Sequence, residues 1–354
     1  MNLLINTLSE QQIITSYNFA RFSDVVFSET LTHSQYEEIQ DKEDAEIVFQ
    51  NKNLIFYLRK KFNLKENHII FTNTYFVENL FEILRGNKDF TNIKLITHQT
   101  DIPISEKLYN KKPDCISQWF SINVNYENPN LIPLPLGLAN NYSPKNVMKS
   151  DFSRIKDKSN KIDKLYINFQ KNTNLREREK LINKFSKFQW TYYDEPNQNI
   201  ESYLTSLTKF KFTLAPWGNG FDSHRFWEAL YAGSIPVSKK HLTYSPAKDL
   251  PAILLDDYTS IDIKKLNNIC SKNTEYKFEK LKMDYWIDLI KKIDTSVIGN
   301  NLEKQIENTP IQNYIAKYSR NAKFENRFKK IKFRFRQIYK LPKKFFKVVY
   351  KKLA

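Results

Sequence analysis

From Asn67 onward, short unbroken apolar runs alternate with segments whose apolar residues recur every three or four positions. That alternation restricts the chain to an α/β sheet fold, because the two periods belong to strands and helices in turn. HIIFTN reads as a buried strand, FVENLFEILRG as a helix closed by Gly86, and NIKLITHQTD as a second buried strand running into a polar loop. CISQWFSINV and LIPLPLGL continue the pattern, and Pro133 and Pro135 suit a strand end or sheet edge. In such sheets ligands bind beyond the carboxyl ends of the strands. Before Asn67 apolar and charged positions mix, with an acidic stretch from Glu37 to Glu46, and no period stands out.

A polar segment, NNYSPKNVMKSDFSRIKDKSNKIDK, then interrupts the periodicity. It has the composition of an interdomain connection and divides the chain into a first domain, 1–140, a linker, 141–164, and a second domain, 165–316. The second domain repeats the alternation. KLYINF, FQWTYY, FKFTLAP, SIPV and PAILL read as strands, while NLREREKLINKF, IESYLTSLTKF and SHRFWEALYAG read as helices, the last ended by Gly233.

Residues 317–354 form a basic tail with fifteen Lys and Arg against the single acid Glu325, so it holds fourteen of the seventeen excess positive charges. The nearly neutral body argues against a domain that coats nucleic acid. The tail interleaves Phe, Ile, Tyr and Val with its cations, as an amphipathic helix at an anionic membrane surface does, and Pro342 divides it. Nucleic acid is the rival ligand and the less favoured one. Cys115 and Cys270 lack the spacing of a disulfide framework or zinc site. No secretory leader and no apolar stretch of spanning length is evident, so a cytoplasmic protein peripherally associated with the inner face of the membrane is expected.

The chemistry concentrates in FKFTLAPWGNGFDSHRFWEALYAGSIPV. Between a strand and a helix lie Gly218, Asn219 and Gly220, followed by Asp222 or Ser223 as helix cap. A glycine turn feeding a helix start brings unpaired N–H groups and the positive end of the helix dipole together, a combination suited to phosphate. The glycines allow close backbone approach or positive φ. Ser223 can cap or bind, and Arg225 can neutralise charge. His224, Arg225 and Glu228 lie three or four residues apart and share a face, where Glu228 can accept hydrogen bonds from ribose hydroxyls. The plainer alternative is an ordinary loop beside an Arg225–Glu228 surface ion pair.

This segment resembles the C-terminal donor-domain motif of exostosin-like (GT47-type) glycosyltransferases. The likeness rests on a PxG, a Ser or Asp before Arg, a WEAL-type helix and a G-x-IPV strand. LITHQTD, WFSINV, LIPLPLGLAN and LYINFQKNTNLRER resemble further blocks of bacterial and viral relatives, so the likeness runs from about Asn67 to Asp257. The resemblance implies a GT-B fold, with two facing Rossmann-like domains, acceptor side first and donor side second. It also implies a metal-independent, inverting transfer with no cofactor other than the nucleotide-sugar substrate, a UDP-sugar being the expected donor. Asp256 and Asp257 lack the DxD spacing of metal-dependent transferases.

Without a metal the leaving diphosphate needs Arg, Lys and backbone donors. Arg225 is the first candidate and Arg176, in QKNTNLRER, the second, with a solvated helix charge as Arg176's alternative. A base for the acceptor hydroxyl is expected from the first domain, either Asp101 at the end of ITHQTD or His98, unless both merely cap the loop. Asn73 and Thr74 line the acceptor pocket or serve loop structure, and Gly137 permits a tight turn into the linker. The acceptor expected is a glycan, carried on a lipid. A noncatalytic protein whose tail docks on nucleic acid or a partner is the competing class.

Overall fold

The computed structural model describes residues 3–320, apart from 144, 156–159, 260, 273–274 and 293–301. Of the expected basic tail, everything from 321 on lies outside the described residues. The chain forms two compact units, Met1–Ile306 and Glu307–Ala354, and all elements below belong to the first.

That unit holds two α/β lobes. The first lobe opens with α1 (Ser16–Phe22), β1 (Val25–Leu31), α2 (His33–Glu37), β2 (Ala45–Gln50), β3 (Ile55–Arg59) and β4 (Lys61–Lys65). It continues through β5 (Ile69–Asn73), α3 (Val77–Arg85), β6 (Ile93–His98), α4 (Glu106–Tyr109), β7 (Ile116–Ser121) and β8 (Leu131–Pro133). Seven of these strands form one sheet in the order β2-β3-β1-β5-β6-β7-β8. β1, β5, β6, β7 and β8 run parallel, and β3 and β2 add an antiparallel edge. Every residue of β5 and of β6 is buried, as the unbroken apolar runs predict for parallel strands covered on both faces. Pro133 stands in the edge strand β8, where a missing N–H costs no ladder bond.

After α5 (Lys149–Phe152) comes the second lobe: β9 (Ile162–Ile167), α6 (Leu175–Phe185), β10 (Thr191–Tyr193), α7 (Ile200–Lys209), β11 (Phe210–Leu214), α8 (His224–Tyr231), β12 (Ile235–Lys239) and β13 (Ile253–Leu255). Helices α9 (Ile263–Ser271) and α10 (Met283–Lys291) follow. Its sheet is wholly parallel in the order β10-β9-β11-β12-β13. Counted from β9 this is the order 2-1-3-4-5, so the connections leave in opposite directions from β9 and β11 and a crevice opens beyond their carboxyl ends. Both sheets are compatible with Rossmann-like domains.

The lobes are stitched together by each end of the unit. Leu3, Ile5, Leu8 and Ile13 pack with Phe226, Trp227 and Tyr231 of α8, while Met283, Trp286 and Ile290 of α10 pack with Ile14, Phe19 and Phe71 of the first lobe. Tyr231 centres this seam: its hydroxyl accepts from Ile14 N at 3.1 Å and donates to the Leu281 carbonyl at 2.8 Å. Gly137 faces the same place. At φ +66° an added Cβ would sit 2.0 Å from the Ile14 carbonyl oxygen, so neither the backbone conformation nor the space admits another residue.

Helix α8 ends as its sequence predicts. Gly233 takes φ +67°, its N–H donates to Leu230 O and the Ser234 N–H reaches back to Ala229 O, the two bonds of a Schellman stop.

Candidate active site

The cleft between the lobes lies over the β9–β11 crevice and has a volume of about 420 Å³. Its second-lobe wall comes from the loop after β9 and the glycine turn after β11. Its first-lobe wall comes from the loop after β6 and from residues leading into the linker. His98, Asp101, Gly218, Asn219, Gly220, Ser223, His224 and Arg225, distant in sequence, all line it.

The expected turn-and-helix is present, with Ser223 at the N-cap position of α8. The Ser223 side chain makes no capping bond; the neighbouring Asp222 organises the turn instead. Its carboxylate is buried and accepts from Ser223 N at 2.7 Å, from Trp227 Nε1 at 3.0 Å and, across the cleft floor, from Leu136 N at 3.1 Å. Burial outweighs these bonds and pushes its pKa up to about 7. His224 is fixed the same way, Nδ1 lying 2.8 Å from the Gly137 carbonyl.

Positive φ does not explain the turn's glycines, since among the glycines only Gly137 and Gly233 adopt it. Space explains them. A Cβ on Gly220 would meet Asn123 Oδ1 of the other lobe at 2.8 Å, and one on Gly218 would meet Arg178 Nη2 at 3.2 Å.

Arg178 takes the position expected for Arg176. Residues two apart on a helix point to nearly opposite sides. Arg176 is exposed and lines no part of the cleft, whereas Arg178 is buried and does. Arg178 Nε, Nη1 and Nη2 donate to the carbonyls of Trp217, Gln170 and Pro216 at 2.9–3.0 Å. These bonds aim the guanidinium without neutralising it. Its pKa is lowered to about 10, chiefly by burial and then by the like charge of Arg225.

Arg225 lies with its guanidinium 5.6 Å from the centre of the Tyr203 ring, and its Nε is buried without a hydrogen bond. Neither arginine has an ion pair among the described residues. The Arg225–Glu228 surface pair weighed from sequence is therefore not formed. Thr173 Oγ1, also at the cleft, is buried and unbonded. Two adjacent uncompensated cations, a free hydroxyl and a helix start make a site prepared for an anion.

Glu228 does not line this cleft. It is buried one turn further along α8, accepts a 2.6 Å hydrogen bond from the Tyr203 hydroxyl, and faces an adjoining pocket of about 160 Å³ with Asn168, Gln170 and Gln198. Arg225 lines both spaces and joins them.

On the first-lobe wall Asp101 is exposed at the cleft. His98 is buried. Its Nδ1 accepts from Gln99 N at 2.8 Å, which places the proton on Nε2, and Nε2 makes no hydrogen bond of good geometry. Burial first, then His224, depress its pKa to about 3 against an opposing pull from the Pro135 backbone. Asn73 and Thr74 serve loop structure: Asn73 caps Tyr75 N and reaches Thr30 and Gln99, and Thr74 donates to the His98 carbonyl.

Gln99, at φ +71°, is the hub of this wall. Its Oε1 accepts from Thr30 N and Asn73 Nδ2, and its Nε2 donates to Ser16 Oγ, the Thr30 carbonyl and the Tyr142 hydroxyl. Gln99, Asn123 and Arg178 were not singled out from sequence. Only Arg178 left a trace there, as a charge on the stripe it shares with Leu181, Ile182 and Phe185.

Residues 155–260 match the RXYLT1 C-terminal domain family. The matched span contains β9 to β13, the glycine turn and both arginines. That family is exostosin-like and GT47-related, and the match suggests a glycosyltransferase-family member. No curated protein matches the chain.

Proposed function

We propose that the protein transfers a glycosyl group from a nucleotide-sugar donor to a glycan acceptor, in the manner of a GT-B enzyme and with inversion. The observation that carries this reading is the pair Arg178 and Arg225, two cations that line the cleft beside the start of α8 and form no salt bridge among the described residues. A leaving nucleoside diphosphate develops negative charge at its terminal phosphate as the glycosidic bond breaks, and fixed donors at that place lower the barrier. Arg178, held by three carbonyls, and the opening N–H groups of α8 supply that stabilisation with no metal required.

The donor's two ends then have separate places. The nucleoside enters the adjoining pocket, where Glu228 accepts from ribose hydroxyls, and the sugar faces the first-lobe wall. Asp101 is the base that takes the acceptor hydroxyl's proton, since it is exposed on the opposite side of the cleft. His98 is unsuited to that task, because its Nδ1 lone pair is occupied and its Nε2 carries a proton. It fits a neutral hydrogen-bond donor. A lipid-linked acceptor and an anionic membrane surface remain the partners expected from the basic tail.

The test is calorimetric binding of UDP, followed by turnover of a UDP-sugar panel read as UDP release, with Glu228→Ala beside the wild type. Binding that weakens in the variant supports the reading. Absence of both binding and release across nucleotide donors, or a Glu228→Ala protein with undiminished affinity, would sink it.

A further inference from the structure

Besides the Asp222–Leu136 and His224–Gly137 contacts on the cleft floor, one side chain ties the loop that carries Asp101 to the glycine turn. Asn123, in the loop after β7, is 1% exposed and holds φ +52°, a left-handed conformation that few residues other than Gly, Asn and Asp adopt. Its Oδ1 accepts from Asp222 N at 3.0 Å and its Nδ2 donates to the Thr100 carbonyl at 3.2 Å. Thr100 precedes Asp101, and Asp222 closes the glycine turn. Asn123 therefore spans from the residue beside the candidate base to the turn beside the candidate diphosphate site. Gly220 is the complement of this contact, since a Cβ there would lie 2.8 Å from Asn123 Oδ1 and 2.9 Å from Nδ2.

We propose that Asn123 is a positioning residue that sets the separation between the Asp101 loop and the donor turn, and that Gly220 is glycine to admit it. This rests on the transferase reading above. In a displacement between two walls, the attacking oxygen is placed by one and the leaving group by the other. A shift of about 1 Å between them costs about 100-fold in rate while leaving either wall's own ligand bound. The amide is suited to the task where a carboxylate is not. One end must accept an N–H and the other must donate to a carbonyl, and Asp supplies only acceptors when ionised.

Two variants separate positioning from folding. Asn123→Gly keeps the left-handed backbone and removes the side chain. Asn123→Asp keeps the acceptor for Asp222 N–H and sets an oxygen against the Thr100 carbonyl. In full-length protein we expect each to bind UDP with wild-type affinity, measured by calorimetry, and to keep the wild-type KM for a UDP-sugar. We expect kcat for UDP release to fall by about 100-fold in Asn123→Gly, the cost of an angstrom-scale displacement. The Asn123→Asp loss should ease as pH falls and the new carboxyl gains a proton to donate. If either folded variant keeps wild-type kcat, or if UDP affinity and kcat fall together in step with melting temperature, the positioning role is wrong. Should Asn123→Gly not fold, Asn123→Asp and its pH profile decide.

The contact itself has an independent test. Gly220→Ala should lower the melting temperature, and Gly220→Ala combined with Asn123→Gly should recover part of that loss because the obstructing amide is gone. A double variant no more stable than additivity allows overturns the contact whatever the enzyme's substrate. A wild type that neither binds a nucleoside diphosphate nor releases one from any nucleotide-sugar donor overturns the transferase reading, and the positioning role with it.

Discussion

The two walls of the cleft handle their polar groups in opposite ways. On the first-lobe wall Gln99 spends both ends of its amide on Ser16, Thr30, Asn73 and Tyr142, and Asn140 Nδ2 adds a 2.6 Å bond to the Tyr142 hydroxyl. On the second-lobe wall Thr173 Oγ1 and Arg225 Nε are buried and unbonded, and Arg178 and Arg225 stand close enough for their charges to oppose each other. Buried polar atoms are ordinarily paired, so unpaired ones gathered at one place mark where a ligand completes the bonding. Among the described residues the first wall leaves only His98 Nε2 unbonded at the cleft, whereas the second leaves Thr173 Oγ1, Ser223 Oγ and Arg225 Nε. A surface that shapes an approach can be rigid and self-satisfied, whereas one that must answer developing charge has to hold donors in reserve.

The comparison breaks most decisively at Arg225. Arg178 is a poor choice, since its removal would also strand three carbonyls. Arg225 holds no such anchor. We expect Arg225→Met to lower UDP affinity and turnover by about 100-fold, the scale of losing one fixed donor to a developing anion. Folding stability should stay within about 0.5 kcal/mol, because Arg225 makes no hydrogen bond or ion pair among the described residues. Arg176→Met, on the solvent side of α6, should leave affinity and stability unchanged. Calorimetry with UDP and urea denaturation read both outcomes. A large stability loss without an affinity loss would mean that the second wall is scaffold like the first.

The reverse pattern is expected at Gln99. Leucine has a similar shape and no hydrogen-bonding groups, so Gln99→Leu strands the Thr30 N–H and loosens Tyr142. An unsatisfied buried group costs about 1–3 kcal/mol, and we expect about 2 kcal/mol from urea midpoints with UDP affinity retained. If UDP affinity falls instead while stability holds, the division of labour between the walls is wrong.

The same contrast explains what was legible in the sequence. β5, β6 and β11 announce themselves by apolar runs because both faces are covered, and α8 by its spacing and by Gly233. β1 stayed hidden because Glu29 sits wholly buried within VVFSETL, held by Arg21 and Tyr57, its pKa pushed up to about 8 by burial. A charge inside a strand erases the apolar signature. The glycine turn and Arg225 were legible since strand, turn and helix are contiguous. Asn123 was not: its partners Thr100 and Asp222 lie 23 and 99 residues away, and only the fold brings them together. Arg176 and Arg178 differ by two positions in a helix whose phase the sequence leaves open, enough to choose the arginine that faces solvent.

Asp222 offers the finest discrimination, because it sits on the second wall yet is as fully bonded as anything on the first. Its carboxyl, ordinarily near 3.8, is raised to about 7 by burial, with Tyr244 beside it. Below about pH 4 the group is protonated in both folded and unfolded chains and costs nothing. As pH rises toward about 7, the unfolded chain releases its proton while the folded one retains it, so stability is lost across that window, by at most about 1.4 kcal/mol per pH unit. His98 works in the opposite sense. Its depressed pKa of about 3 means that stability is gained as pH rises toward the ordinary histidine value, so the two slopes largely offset in the wild type. Asp222→Asn removes one of them. The wild type's stability relative to Asp222→Asn, from urea denaturation at each pH, should therefore be greatest near pH 4 and decline toward pH 7. A difference that stays constant across that range would mean that Asp222 is ionised throughout. Its bonds to Leu136, Ser223 and Trp227 would then balance burial, making the seam between the walls a charged joint in place of a protonated one.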